Sequence, residues 1–374
     1  MNFDFSDDQK ELREQAKRFL KDKCPPKAVR TILEGGDTYD RTLWKAVAEM
    51  GWTATAIPEE FGGLGLGYLE LCVIAEELGN VVAPIPFASS VYLATEAILV
   101  AGSDAQKQKY LPGLASGELI GTFATAEGAS AATPRTIKTT FKGGKLDGRK
   151  EPVPDGANAD FAIVLARTGD SGERSLSLAI VDLKAAGVKV ESLKTFDPTR
   201  NQANVEFAGA PAEALGAPGE GWDLTRQILD RAAILLAFEM VGGSDACLAM
   251  AKDYALNRYA FGRQIASYQA IKHKLADMYV NTEIARSNAY YGAWALATGA
   301  AELPEAAAGA RIAAIQAYDY ASRENLQTHG GMGYTWELDC QLYYRRAKND
   351  GLVLGAQRVW KEKLVAQLER KNAA

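Results

Sequence analysis

The residue texture of this chain changes twice, and that double change limits the fold more than any single motif. Up to about residue 118, apolar residues recur at helical spacing. From about 119 to 215 they fall in short alternating runs broken by Gly, Asp, Asn and Pro. From Gly221 the helical spacing returns over long stretches. A helix-period pattern cannot present one apolar face as a strand, nor the reverse, so the middle segment has to be built differently from its flanks. The reading is an α+β multi-domain chain: an N-terminal all-helical domain over 1–118, a middle antiparallel β domain (small barrel or sandwich) over 119–215, and a C-terminal helical bundle over 216–374. The 374 residues are enough for two or three domains with ample core.

Local signals set the element boundaries. Ser6 followed by Asp7, Asp8 and Gln9 caps a helix that ends near Lys23, before Pro25-Pro26. Further helices are expected over 42–50, 68–79, 89–102 and 103–117, with "FGGLGLG" (61–67) a loop. Strands are expected over 119–126, 136–142, 160–166, 175–182, 188–193 and 204–209, and "KGGK" (142–145) reads as a hairpin turn. In the last domain, helices should run from about Trp222 to Tyr259, Ala266 to Thr298, Pro304 to Thr328 and roughly 350–370. Ile271, Leu275, Met278, Thr282, Ala285 and Ala289 step by 4 and 3, the seam of a close-packed antiparallel bundle.

Composition excludes several classes of function. A net charge of −5 argues against a sequence-independent nucleic-acid binder, which needs a basic surface. Cys24, Cys72, Cys247 and Cys340 lie far apart without a CxxC, which reads as buried thiols in a reduced, cytoplasmic setting. With two histidines there is no dedicated metal site. The start "MNFDFSDDQK" lacks the basic and apolar regions of a signal peptide, and the most apolar run, "AAILLAFEMVGG", is interrupted by Glu239 and reads as too short to insert in a membrane. His273 and His329 each read as hydrogen-bonded structural residues.

Two glycine-centred spots interrupt the C-terminal helices: "RYAFGR" (258–263) and "QTHGGMGY" (327–334). Glycine lets backbone amides approach a ligand, and arginine pairs with phosphate, so with Gln269 and Gln327 these spots have the chemistry to hold a nucleotide's phosphates and base edge. A helix C-cap followed by a loop accounts for the same spacing, and neither spot matches a Walker or Rossmann pattern.

Taken together, "AIPEEFGGLGLG" (56–67), "YALNRYAFGRQIASYQAIKHKLADM" (254–278) and "QTHGGMGYTWE" (327–337) resemble the flavin-dependent acyl-CoA dehydrogenases over essentially the whole chain. The resemblance implies FAD as cofactor, an acyl-CoA thioester oxidised across Cα–Cβ, and an electron-transfer flavoprotein or similar acceptor. Arg258, Phe261, Gln269, Gln327, Gly330 and Gly331 match residues that, in this family, clamp the cofactor across a subunit interface.

Three departures from the family pattern accompany the likeness. The two places where the resemblance expects a catalytic glutamate fall on Leu354 and Ala232, and neither accepts a proton. The ring-side flavin motif is degraded to "FATAEGASAATP" (123–134), and the stretch after it is replaced by "GRKEPVPDGA" (148–157). The Arg-Asp pair after the glycine loop has become "RRAK" (345–348).

A chain that keeps the lent contacts and loses its own resembles the small subunit of a heteromeric enzyme, with a second acyl-CoA dehydrogenase subunit as partner. The alternative is a self-sufficient homo-oligomer with a relocated base. For that, Glu239 lies about two turns along the same helix face as Ala232, whereas Asp230 points elsewhere and reads as a helix-surface ion-pair member. As a structural residue, Glu239 would be a buried, hydrogen-bonded carboxylate. A flavin-free scaffold or binding protein of this fold is the third reading.

Overall fold

The structure is a computed structural model that describes residues 6–129 and 131–373. The first residues of the acidic start and Ser130 of the degraded motif lie outside the described residues. The helices are α1 (Asp7–Lys23), α2 (Pro26–Leu33), α3 (Arg41–Glu49), α4 (Tyr68–Asn80), α5 (Glu96–Ala101), α6 (Asp104–Ala115), α7 (Gly221–Asn257), α8 (Gln269–Thr298), α9 (Leu303–Thr328), α10 (Cys340–Asp350) and α11 (Gln357–Ala373). The chain forms two compact units. One draws on Met1–Arg30, Tyr68–Ala83 and Ala233–Ala374, and the other on Thr31–Gly67 and Pro84–Ala232.

The first unit is helical. Ser6 and Gln9 form a reciprocal capping box at the start of α1. On α8, Met278, Thr282, Ala285 and Ala289 are buried as the seam requires, with Ile271 and Leu275 half-buried at its open end. They meet the alanines of α9 (Ala310, Ala314, Ala317, Ala321), and Val241, Ala285 and Ala317 join α7, α8 and α9 in one cluster. Small residues on both faces let the helix axes approach closely. α4 and α7 approach closely: a Cβ added at Gly242 would overlap the Glu76 carbonyl and one added at Gly79 would overlap that of Glu239. The run "AAILLAFEMVGG" lies inside this 37-residue helix, which is long and apolar enough to cross a membrane by length and composition. In this fold, 78% of its most apolar window is buried inside the protein, as in a core helix.

Charge is concentrated where α1, α4, α7 and α8 meet. Arg13 Nη2 lies 2.6 Å from Glu76 Oε2, Arg286 pairs with both Glu76 and Asp245, and Arg13 Nε is 3.7 Å from Glu77. Burial pushes the Glu77 carboxyl up to about 7, against the pull of the Lys17 and Arg13 charges. An acid with a raised folded-state pKa stabilises the fold fully below its unfolded value of about 4.5 and loses that contribution as pH rises through 7. The expected result is a urea midpoint that falls between pH 5 and 8, at up to about 1.4 kcal/mol per pH unit for one proton. Glu77→Gln should flatten that fall, and an unchanged slope would exclude Glu77 as its source.

The second unit holds the sheet: β1 (Gly121–Ala124), β2 (Thr140–Lys142), β3 (Lys145–Pro154), β4 (Phe161–Arg167), β5 (Leu176–Asp182), β6 (Val188–Leu193) and β7 (Gln202–Leu215). The pairings β4–β2–β3–β7–β5–β4 close a ring, with β6 added on β7, and closure removes sheet edges. The "KGGK" hairpin forms, with Gly143 at φ 56 and Gly144 at φ 74, as a tight two-residue turn needs.

The structure corrects several expectations. The sheet is not purely antiparallel, because β1 and β2 both run parallel to β4. Strand β3 (Lys145–Pro154) is not among the expected strands, and α2, also not expected, begins at Pro26, a favoured first-turn position. The helix expected over 89–102 is a π-helix (Ala88–Thr95) followed by α5. The last expected helix forms as α11, and α10 before it was not expected. His273 is exposed rather than structural, whereas His329 is buried with Nδ1 2.9 Å from the Asn325 carbonyl.

Candidate functional site

Helix α7 ends at Asn257, and the chain turns through a short hairpin, β8 (Tyr259–Ala260) with β9 (Arg263–Gln264), before α8 starts at Gln269. Phe261 and Gly262 make the turn at φ 51 and φ 77. Positive φ is costly for a bulky side chain, and Phe261 holds it while 96% exposed. The Tyr268 hydroxyl donates to the Ala260 carbonyl at 3.0 Å, and the Arg263 guanidinium lies 4.0 Å over the Tyr268 ring.

Two contacts bring the glycine loop to the same end of the bundle. Lys274 Nζ lies 2.6 Å from Glu324 Oε2, setting the first turns of α8 beside the last of α9. The Tyr254 and His329 ring centroids lie 4.2 Å apart with their planes tilted by 32°, bringing the end of α7 there too. Arg258, Phe261, Gln269, Gln327, Gly330 and Gly331 therefore gather at one end of the helical unit. Arg258, Gln269 and Gln327 are exposed, and Gln327 Oε1 accepts from the Tyr334 hydroxyl at 3.3 Å. A Cβ at Gly330 (φ 59) or Gly331 would meet nothing within 4 Å, so the backbone there is open to a ligand.

A residue that sequence reasoning missed braces this loop. Arg30 Nε donates to Asp339 Oδ1 at 2.7 Å, and its Nη1 donates to the Trp336 carbonyl at 2.7 Å. The partners are about 300 positions apart, so no local signal announces the pairing. Five large apolar side chains on the two loops are exposed: Tyr259, Phe261, Met332, Tyr334 and Trp336.

The positions expected to hold a base are apolar and buried. Ala232 is 0% exposed, and Leu354, in the turn between α10 and α11, is 8% exposed. Glu239 is 1% exposed, and its Oε1 lies 3.5 Å from Nη1 of Arg346, also 1% exposed. That guanidinium also donates to the carbonyls of Val82 and Ala83 at 3.3–3.4 Å. This arrangement matches the reading of Glu239 as a buried, hydrogen-bonded carboxylate. Asp230 corrects the surface reading, being 3% exposed. In "RRAK", Arg346 turns inward to Glu239 while the Arg345 guanidinium sits 5.6 Å from the Trp336 ring.

In the barrel unit, the Lys150 side chain on β3 is 0% exposed, and its Nζ lies 2.7 Å from Glu127 Oε1 and 3.2 Å from the Thr125 carbonyl. Burial pushes the Lys150 ammonium down to about 8. Against the upward push of burial, the Lys150 charge and hydrogen bond hold the Glu127 carboxyl below its usual range. Sequence carried a signal here: Leu146 and Lys150 are four apart on one strand and so face the same side.

Residues 6–118 match the N-terminal domain of acyl-CoA dehydrogenases, and residues 219–368 match their C-terminal domain. The acyl-CoA dehydrogenase IpdE2 of Mycobacterium tuberculosis is 33% identical over 350 residues, 93% of each chain. The chain belongs to the acyl-CoA dehydrogenase family. Butyryl-CoA dehydrogenase from Megasphaera elsdenii superposes with a TM-score of 0.92 at 26% identity, over 98% of this chain and 100% of that one. A Tcur3481-Tcur3483 steroid acyl-CoA dehydrogenase variant gives 0.88 at 27%, over 98% and 99%. The architecture is accordingly the family's: helical N-terminal domain, middle β-barrel, helical C-terminal domain. The family consists of FAD-dependent oxidoreductases acting on CH–CH bonds, with acyl-CoA substrates and electron-transferring flavoprotein acceptors typical of it.

The bundle end offers an exposed guanidinium, two amide side chains and open glycine backbone, which fit the phosphates and base edge of a dinucleotide. In the ring-side stretches, the polar side chains of Lys150 and Glu127 are engaged with each other and with the backbone of Thr125, Lys138 and Thr139.

Proposed function

We propose that this chain is the small subunit of a heteromeric FAD-dependent acyl-CoA dehydrogenase. It lends Arg258, Phe261, Gln269, Gln327, Gly330 and Gly331 to a flavin seated mainly in a partner subunit. Arg258 supplies charge for the phosphates, and the glutamines supply hydrogen bonds to a base edge. The partner supplies the carboxylate that takes the α-proton, and FAD, when bound, accepts the β-hydride. The observation that carries this reading is the burial of apolar Ala232 and Leu354 at both places where a glutamate is expected, in a chain whose bundle-end residues stay exposed. Likeness to a steroid acyl-CoA dehydrogenase supports a bulky acyl chain as substrate.

The visible spectrum tests it. Purified alone, the chain is expected to be colourless; co-expressed with a companion acyl-CoA dehydrogenase subunit, it should co-purify as a yellow complex. Stoichiometric flavin on the chain alone would sink the small-subunit reading. A chain that stays colourless with every such partner would favour a flavin-free scaffold.

A further inference from the structure

The loop that carries Gly330 and Gly331 is held at both ends. At its start, His329 is buried, with Nδ1 2.9 Å from the Asn325 carbonyl. Farther on, no residue from Tyr334 to Asp339 is buried, so apolar packing does not fix that stretch. Thr335 bonds back to the Met332 carbonyl, and Gln341 Nε2 donates to the Trp336 carbonyl at 3.3 Å, both local ties. Arg30 reaches the stretch from about 300 positions away, with Nε 2.7 Å from Asp339 Oδ1 and Nη1 2.7 Å from the Trp336 carbonyl.

This grip sets aside two local preferences. Asp339 stands at the N-cap of α10, where an aspartate ordinarily accepts from its own helix's amides. Among the described residues it makes no such cap bond, and its carboxylate faces Arg30 instead. Arg30 Nη2 is buried without a hydrogen bond among the described residues, and a buried donor left so is costly. Such departures mark places where position matters more than local stability. What is positioned lies two residues before Trp336: the Tyr334 hydroxyl donates to Gln327 Oε1 at 3.3 Å.

We propose that Arg30 is a positioning residue for the FAD clamp. By fixing the Trp336 carbonyl and the start of α10, it holds Tyr334 against Gln327 and keeps the Gly330–Gly331 backbone in its nucleotide-binding conformation. The inference rests on the reading that the bundle end holds the nucleotide half of FAD. It applies equally to a flavin seated in a partner subunit or in a second copy of this chain. A loop braced beforehand need not be ordered on binding, so losing the brace lowers the apparent affinity by the fraction of competent loop that is lost.

Two measurements test it. In the full-length chain without flavin, Arg30→Ala should speed hydrogen exchange over 330–339 and leave α1 unchanged. In the flavoprotein this chain forms, stripped of flavin and titrated with FAD, Arg30→Ala should bind about tenfold more weakly, the effect of roughly one charge-assisted hydrogen bond. Arg30→Lys should recover part of that loss. Gln327→Ala should weaken FAD as well. Because Arg30 acts through the loop that holds Gln327, the double variant should lose less than the product of the two single losses.

Unchanged exchange over 330–339 would overturn the brace. So would an FAD affinity that Gln327→Ala weakens and Arg30→Ala does not, or losses that multiply strictly, as a merely structural defect would give. If Gln327→Ala leaves FAD affinity untouched, or no flavoprotein forms, the clamp reading itself falls and this inference with it. Should Arg30→Ala fail to fold, Asp339→Asn, which keeps an acceptor but removes the charge, decides by the same two measurements.

Discussion

Gly242→Ala is expected to cost the helical unit about 3 kcal/mol or more, at the upper end of what overpacking does. The added methyl would overlap the Glu76 carbonyl and sit 3.0 Å from the Asn80 amide. Both atoms are helix backbone, so no rotamer change makes room and α4 has to move off α7. The same contact exists in reverse at Gly79, which meets the Glu239 carbonyl, so separation at one point opens the other. Close packing then transmits the shift to Glu76, whose carboxylate holds Arg13 and Arg286. Gly309→Ala is the control. It is also mid-helix, its methyl would meet only the Asn288 side-chain oxygen at 3.3 Å, and alanine's helix propensity favours it by up to about 1 kcal/mol. Thermal melts of the two variants should move far apart; equal melting points would refute the crossing as the reason for glycine at 242.

Arg346→Ala should be comparably damaging, at about 3–5 kcal/mol, the cost of leaving a buried charge without its partner. It takes the Arg346 charge away from Glu239, which is 1% exposed, and removes the donor to the Val82 and Ala83 carbonyls. Val82 is a β-branched residue at φ 46, a conformation that persists only when its surroundings impose it. Glu239→Gln should be milder, because the amide keeps an acceptor for the guanidinium while removing the charge. In urea melts, the double variant Glu239→Gln/Arg346→Ala should recover part of the single-arginine loss. Strict additivity would show that the two side chains do not act as a pair. If the proposed partner subunit supplies the base, the same Glu239→Gln chain in a flavin-loaded, active complex should retain substrate α-proton exchange. Loss of exchange would identify Glu239 as the base.

Much of this molecule was legible locally. The Ser6 cap, the "KGGK" hairpin and the seam from Met278 to Ala289 each depend on neighbours a few residues away, and each formed. The approximate limits of α7, α8 and α9 were legible for the same reason. Strand β3 was not among the expected strands, although the "KGGK" turn leads into it; its length is set by long-range pairing with β7. The parallel pairings of β1 and β2 with β4 are long-range choices that alternation cannot encode.

For the candidate site, sequence alone determined what is missing: no carboxylate stands at Ala232 or Leu354, and no fold restores one. It also placed Arg258, Phe261, Gln269, Gln327, Gly330 and Gly331 in two glycine-centred breaks. Only the tertiary structure decided that those breaks share one end of a bundle, that Arg346 claims Glu239 from 107 positions away, and that Lys150 locks onto Glu127. The physical reason is range. Periodicity and capping act within a helical turn or a strand pair, whereas a buried charge takes whatever partner the packing of distant segments brings within reach, and no partner can be chosen before that packing exists.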